Sequence, residues 1–266
     1  MEHMATKSTA KPMSAYIAAQ QRSIVSYHLP SDFASEAPVC IYIEEARNLL
    51  AAHGTTGLRV WDASLHLAYF LCTEGTSLVR DKAVLELGAG TGLLSILCAG
   101  PLKAARVVST DGDADVVESI ESNTRLNLRL REPGQKYTLE AKVLDWADTS
   151  SLPQVLEYEG QEAPIDLVLG ADITYATESL EPLVNVLSAL HDEYPRVDIL
   201  ISTVIRNEDT FTAFVHTCTK AGFRIKRIPF NCPALDQQRG FFHRTTPPIR
   251  IIRLIRDLAA LSEDVD

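Results

Sequence analysis

The chain has 266 residues, 46% hydrophobic and 23% charged, a balance that supports a buried core and excludes disordered, collagen-like and coiled-coil classes. Lys and Arg number 25 against 35 Asp and Glu, a net charge of −10, which argues against nucleic-acid backbones or anionic membranes and favours a basic protein partner. The five cysteines lie far apart with no CxxC pair, and the seven histidines show no metal-ligand spacing, so a reduced, cytoplasmic protein without metal or disulfide framework is expected.

Met1–Ser14 is polar and reads as disordered, and residues 1–40 are expected to form an N-terminal segment ahead of one domain over 41–266. No stretch approaches the roughly 20 apolar residues of a membrane span. Apolar strands begin to alternate with amphipathic helices near Asp81. Ala83–Leu87 reads as a short buried strand, followed by a glycine turn and a helix over Leu93–Ala99. Arg106–Asp111 is a second strand. Ala114–Asn127 then carries Val116, Val117 and Ile120 at helical spacing. Thr138–Val143 is a weaker, alternating strand, after a loop through Glu132–Gln135. Ile165–Ala171 is almost wholly apolar, as a strand buried on both faces is.

Leu180, Leu183, Val184, Leu187 and Leu190 form one stripe of the next helix. Val197–Val204 is a further central strand. Asn207 caps a helix whose first turn holds Glu208 and Asp209 and whose end is marked by Gly222. That helix is expected to bury Phe211, Phe214, Val215 and Cys218. Phe223–Ile228 and Ile249–Leu254 close the chain, joined by a long loop through Pro233 and Pro247. With no helix between them, they are expected to pair antiparallel at one edge. The pattern as a whole predicts an α/β fold: a Rossmann-like, seven-stranded, mostly parallel sheet with helices on both faces.

The strongest chemical signal is Glu86-Leu87-Gly88-Ala89-Gly90-Thr91-Gly92, a strand running into a glycine turn and then a helix. Glycines let the backbone turn tightly and approach a ligand, and the helix start offers free N–H groups. A dinucleotide fingerprint would place glycine where Leu93 stands, which weighs against a nicotinamide-dependent oxidoreductase. Asp111 ends the second strand, where a carboxylate can accept ribose hydroxyls or cap the following helix. Asp145 and Trp146 follow the third strand; the indole can wall an adenine or simply pack in the core, and Asp145 can accept from an adenine amino group.

These segments, with Ala171-Asp172-Ile173-Thr174-Tyr175, resemble the seven-β-strand methyltransferases that modify protein lysines, in which an Asp-x-x-Tyr motif follows the fourth strand. Thr55-Thr56-Gly57-Leu58 before Trp61, and Ile205-Arg206-Asn207 after the fifth strand, are most similar to the elongation factor 2 lysine methyltransferases. The region before Thr55 is shorter here than is usual in that group. The resemblance implies S-adenosylmethionine as cofactor, held by Trp61, Glu86, Gly88, Ala89, Gly90, Asp111, Asp145, Trp146 and Ala171. It further implies Asp172 and Tyr175 as catalytic residues and a protein substrate, elongation factor 2 before any chaperone or other translation factor. A monomer acting on no nucleic acid directly is expected, and no metal. In that scheme Asp172 holds the incoming lysine ammonium and Tyr175 orients the neutral amine. A non-catalytic interaction module on the same fold is the alternative from another class.

Overall fold

The computed structural model describes residues 22–31, 33, 39–46, 57–128, 138–158 and 161–256; Met1–Ser14, the Glu132–Gln135 loop, Thr55 and Thr56 lie outside them. In chain order the strands are β1 (Ser23–His28), β2 (Cys40–Glu45), β3 (Ala83–Leu87), β4 (Arg106–Asp111), β5 (Leu139–Val143), β6 (Glu157–Tyr158), β7 (Gln161–Glu162), β8 (Leu167–Ala171), β9 (Asp198–Val204), β10 (Phe223–Ile228) and β11 (Ile249–Arg256). The α-helices are α1 (Asp62–Thr73), α2 (Thr76–Val79), α3 (Leu93–Ala99), α4 (Ala114–Asn127), α5 (Leu152–Leu156), α6 (Leu180–Glu193) and α7 (Glu208–Lys220).

Seven strands form the main sheet in the order β10-β11-β9-β8-β3-β4-β5. The five from β9 to β5 run parallel, and β11 is antiparallel to both β9 and β10. The antiparallel pair at the edge is therefore as expected, with its returning strand β11 lying inside and β10 outermost.

Strand residues alternate between two cores, one on each face, which is why these strands read as continuous apolar runs. Val84, Val107, Leu169, Leu200 and Ile251 join α1 and α3 in one core. Leu85, Val108, Val168, Ile201 and Ile252 join α5, α6 and α7 in the other. Helix α1 is buried nearly all round, from Ala63 to Cys72, so it lacks the polar face of a surface helix. Helix α7 buries Phe214 and Cys218, whereas Phe211 and Val215 are only half-buried; the helix lies on the sheet near its edge, so its contact stripe is narrower than the apolar spacing suggests.

The β1–β2 hairpin was not anticipated. Its register runs from Ser23 opposite Glu45 to His28 opposite Cys40, so the expected division at residue 40/41 passes through it. Ile41 and Ile43 fill the α1/α3 core. The other edge of β2 is held by side chains of α4. Asn127 accepts from Tyr42 N–H at 2.8 Å and donates to Tyr42 C=O at 2.6 Å. Asn123 accepts from Glu44 N–H at 2.8 Å and donates to Thr91 C=O at 3.0 Å. Two wholly buried asparagines thus replace a neighbouring strand and satisfy backbone groups that would otherwise be orphaned. Among the described residues no helix is long and apolar enough to cross a membrane.

Candidate active site

The chain runs β3, β4, β5 toward one edge, then returns to place β8 and β9 on the other side of β3. That reversal separates the loops after β3 and β8 and leaves a crevice at the carboxyl ends of the strands, where open α/β sheets bind ligands. A cavity of about 660 Å³ lies there, within the roughly 300–1,000 Å³ of pockets that hold small organic ligands. Its lining includes Trp61, Gly88, Ala89, Gly90, Asp111, Asp145, Trp146, Ala171, Asp172 and Tyr175. The structure thus brings together every expected site residue but one.

Glu86 is the exception. It is buried beneath the turn, with Ser95 Oγ donating to its Oε2, and it is not among the cavity's lining residues. Burial, more than any other influence, pushes its carboxyl up to about 8, so at neutral pH it is a largely protonated core group.

The glycine turn is shaped by the protein's own chain as much as by a ligand. Gly88 and Gly90 both have positive φ, 61° and 55°, where side chains are strained. A Cβ on Gly88 would meet Ile173 Cγ2 at 2.7 Å, and one on Gly90 would meet Gly57 O at 3.1 Å. Gly57 lies against the turn, and a Cβ on it would meet Val116 Cγ2 of α4 at 2.9 Å, a packing reason for its glycine.

Asp111 accepts from Gly90 N–H at 3.0 Å and, through its other oxygen, from Asp113 N–H at 3.3 Å. Burial raises its pKa above the ordinary aspartate value, with the nearby Asp113 charge acting the same way and the backbone donors opposing. The cap of α4 is Asp113, which accepts from Asp115 and Val116 N–H, so Asp111 is left to the turn and the cavity. In the loop after β5, Trp146 carries a buried Nε1 donor with no acceptor among the described residues, a group that ordinarily finds one. Asp145 is exposed and spends one oxygen on Ala147 N–H at 2.9 Å.

Sequence reasoning assigned no role to Arg59 or Arg206, and both line the cavity. Arg206 forms a two-pronged pair with Asp172, at 3.1 and 2.7 Å, and its guanidinium also lies 5.5 Å from the Trp61 ring centre. Arg59 lies over the same indole at 4.6 Å. Asp172 itself is buried, sits at φ 58°, and accepts from Val204 N–H at 3.3 Å. It is pinned rather than free, and acceptor capacity remains on Oδ2. Tyr175 is exposed at the rim. Trp61 is placed by long-range contacts: Glu45 accepts from Val60 N–H at 2.7 Å and from Tyr27 Oη at 2.8 Å, and Ala46 N–H donates to Leu58 C=O. For Arg206 the one local hint was its place in Ile205-Arg206-Asn207, just past the apolar strand β9.

A family model described as lysine methyltransferase matches residues 42–220. Protein-lysine N-methyltransferase EFM3 of Chaetomium thermophilum is 38% identical over 239 residues, covering 90% of this chain and 69% of that protein. Protein-lysine N-methyltransferase EEF2KMT of Mus musculus is 31% identical over 68% of this chain, and EFM3 of Saccharomyces cerevisiae is 31% identical over 76%. The chain spans only 54% and 58% of those two proteins' lengths. Among solved structures, SMU.776 complexed with SAH aligns with TM-score 0.50 at 12% identity, over 81% of this chain and 53% of that one; the likeness is one of fold.

Proposed function

The chain belongs to the lysine methyltransferase family, and from that premise we propose that it transfers a methyl group from S-adenosylmethionine to a lysine side chain of a protein, with translation elongation factor 2 the favoured substrate. The observation that carries this reading is a single cavity with the glycine turn and Asp111 at one end and Asp172 and Tyr175 at the other. Its residues fit the cofactor: a half-buried carboxylate with acceptor capacity, an indole donor lacking an acceptor, and a backbone turn with no Cβ atoms at Gly88 and Gly90.

When bound, S-adenosylmethionine supplies a methyl group on a positively charged sulfonium, already activated for transfer. Asp111 would hold the ribose hydroxyls, while the Gly90 N–H bond fixes the carboxylate's orientation. Trp146, Asp145 and Ala171 would hold the adenine, and Trp61 lines the cavity beside the two arginines. Asp172, oriented by its two-pronged pair with Arg206, receives the lysine ammonium at its remaining Oδ2 capacity. Tyr175 orients the amine once its proton has gone to solvent. Ile173, Ala176 and Pro182 give that region apolar walls, which favour the neutral amine. The exposed carboxylate of Glu178 at the rim beside Tyr175 favours a basic target segment. We place the reaction in the cytoplasm, performed by a monomer.

Incubating the purified chain with labelled S-adenosylmethionine and purified translation elongation factor 2 tests this reading. Label on a lysine of the factor is expected. Label only on a chaperone or another translation factor in a lysate lacking this chain would correct the substrate, and no transfer to any protein would overturn the activity.

A further inference from the structure

Away from the cavity, three side chains distant in sequence converge where α1 meets the loop over residues 229–248. His66 Nδ1 lies 3.0 Å from His243 Nε2, and Cys232 Sγ lies 3.6 Å from the same nitrogen. All three atoms fall within 4.8 Å of one another. Both histidines are buried and Cys232 is half-buried. His243 Nδ1 donates to Phe241 C=O at 2.6 Å, which fixes its tautomer and leaves Nε2 as a lone pair facing the other two groups. That outer hydrogen bond to a carbonyl is the usual support of a metal-binding imidazole.

Hydrogen bonding alone serves this cluster poorly. His243 Nε2 has one lone pair, while His66 Nδ1–H and the Cys232 thiol both approach it as donors. A cation would use a lone pair of each group at once. Tetrahedral zinc, with bonds of about 2.0–2.1 Å to nitrogen and about 2.3 Å to sulfur, separates two nitrogens by about 3.3 Å and nitrogen from sulfur by about 3.6 Å. The spacings here are close to both. Gln238 completes the surroundings: its Nε2 donates toward Cys232 Sγ at 3.7 Å and to His243 C=O at 3.0 Å, and its Oε1 accepts from His243 N–H at 2.9 Å.

We propose that His66, Cys232 and His243 form a binding site for a zinc-class divalent cation, which staples the 229–248 loop to helix α1. On binding, the Cys232 thiol releases its proton to solvent and the thiolate becomes the sulfur ligand. Imidazole and thiolate together select a borderline-soft ion such as zinc over magnesium or calcium. Three protein ligands leave a fourth position for water. The staple bears on the cavity because α1 starts directly after Trp61, and Ser64 in its first turn lines the cavity.

Titrating untagged, metal-stripped full chain with cobalt(II) chloride tests the site. The expected spectrum has intense visible bands of tetrahedral cobalt and a near-ultraviolet thiolate charge-transfer band. Both should saturate at one ion per chain and disappear on adding zinc chloride. Cys232→Ala, at a half-buried position where folding should survive, should lose the charge-transfer band, and zinc should raise the melting temperature of the original chain but not of this variant. A weak, aqueous-type cobalt spectrum would overturn the proposal, as would a charge-transfer band that persists in a folded Cys232→Ala chain.

Discussion

Asp111 serves two partners, because the carboxylate that orders the glycine turn through Gly90 N–H is also the acceptor offered to a ribose. Asp111→Ala should therefore weaken S-adenosylmethionine by several-fold to a hundredfold, about 1–3 kcal/mol for the charged hydrogen bonds lost. Asp111→Asn, which keeps an acceptor for Gly90, should lose less. Calorimetric titration of both folded variants checks this; equal affinity for Asp111→Ala and the original chain would contradict the assignment. Glu86 gives a prediction of the opposite kind, on stability rather than binding. Its folded pKa is about 8 against an ordinary 4.5. Below pH 4.5 both folded and unfolded chains hold the proton, so the group is neutral to folding there. As pH rises toward 8, the unfolded chain loses the proton first, and stability falls by up to about 1.4 kcal/mol per pH unit. Glu86→Gln should flatten that fall across about pH 5 to 8, seen as denaturant midpoints that no longer drop from this group. The motif Glu86-Leu87-Gly88 made Glu86 look like a ligand contact by adjacency. Strand alternation instead turns its side chain into the core, and only the packing of Ser95 and Cys98 around it reveals this.

The elements most legible in the sequence were those whose signal is local. The bounds of β3, β4 and α4 were readable because an apolar run, a glycine turn and a helical stripe each carry their own period. The β1–β2 hairpin was not, since β1 is exposed along much of its length and the pair is held by Asn123 and Asn127 from a helix about 80 residues later. Trp61 was legible as a site residue, but not the Glu45 carboxylate that fixes Val60 directly before it. Asp172 and Arg206 stood in two quoted motifs, and only the side-by-side placement of β8 and β9 makes them partners. Because Asn123 bonds β2 and the glycine turn together, Asn123→Ala should destabilise the fold. Leaving Glu44 N–H and Thr91 C=O without it should cost about 1–3 kcal/mol for each group that stays unpaired. Urea unfolding should show a lower midpoint at unchanged slope, and an unaltered midpoint would mean that the Asn123 bonds add nothing to the hold on the hairpin.

Across the whole molecule, the reversal of strand order at β3 divides labour between two sides of one cavity. The β3–β4–β5 side supplies the glycine turn, Asp111 and Trp146, and the β8–β9 side supplies Asp172, Tyr175 and Arg206. The net charge of −10 adds a long-range attraction for a basic protein surface, so methylation should slow as salt is raised, through a higher KM rather than a lower kcat. The division of labour is the central claim, and one measurement tests it most directly. S-adenosylmethionine affinity and turnover on the purified protein substrate should be determined side by side for Asp172→Asn, which keeps the side chain's size and removes its charge. Cofactor affinity close to that of the original chain, with most turnover lost, is the predicted result. Retained turnover, or turnover lost only in step with cofactor binding, would contradict it.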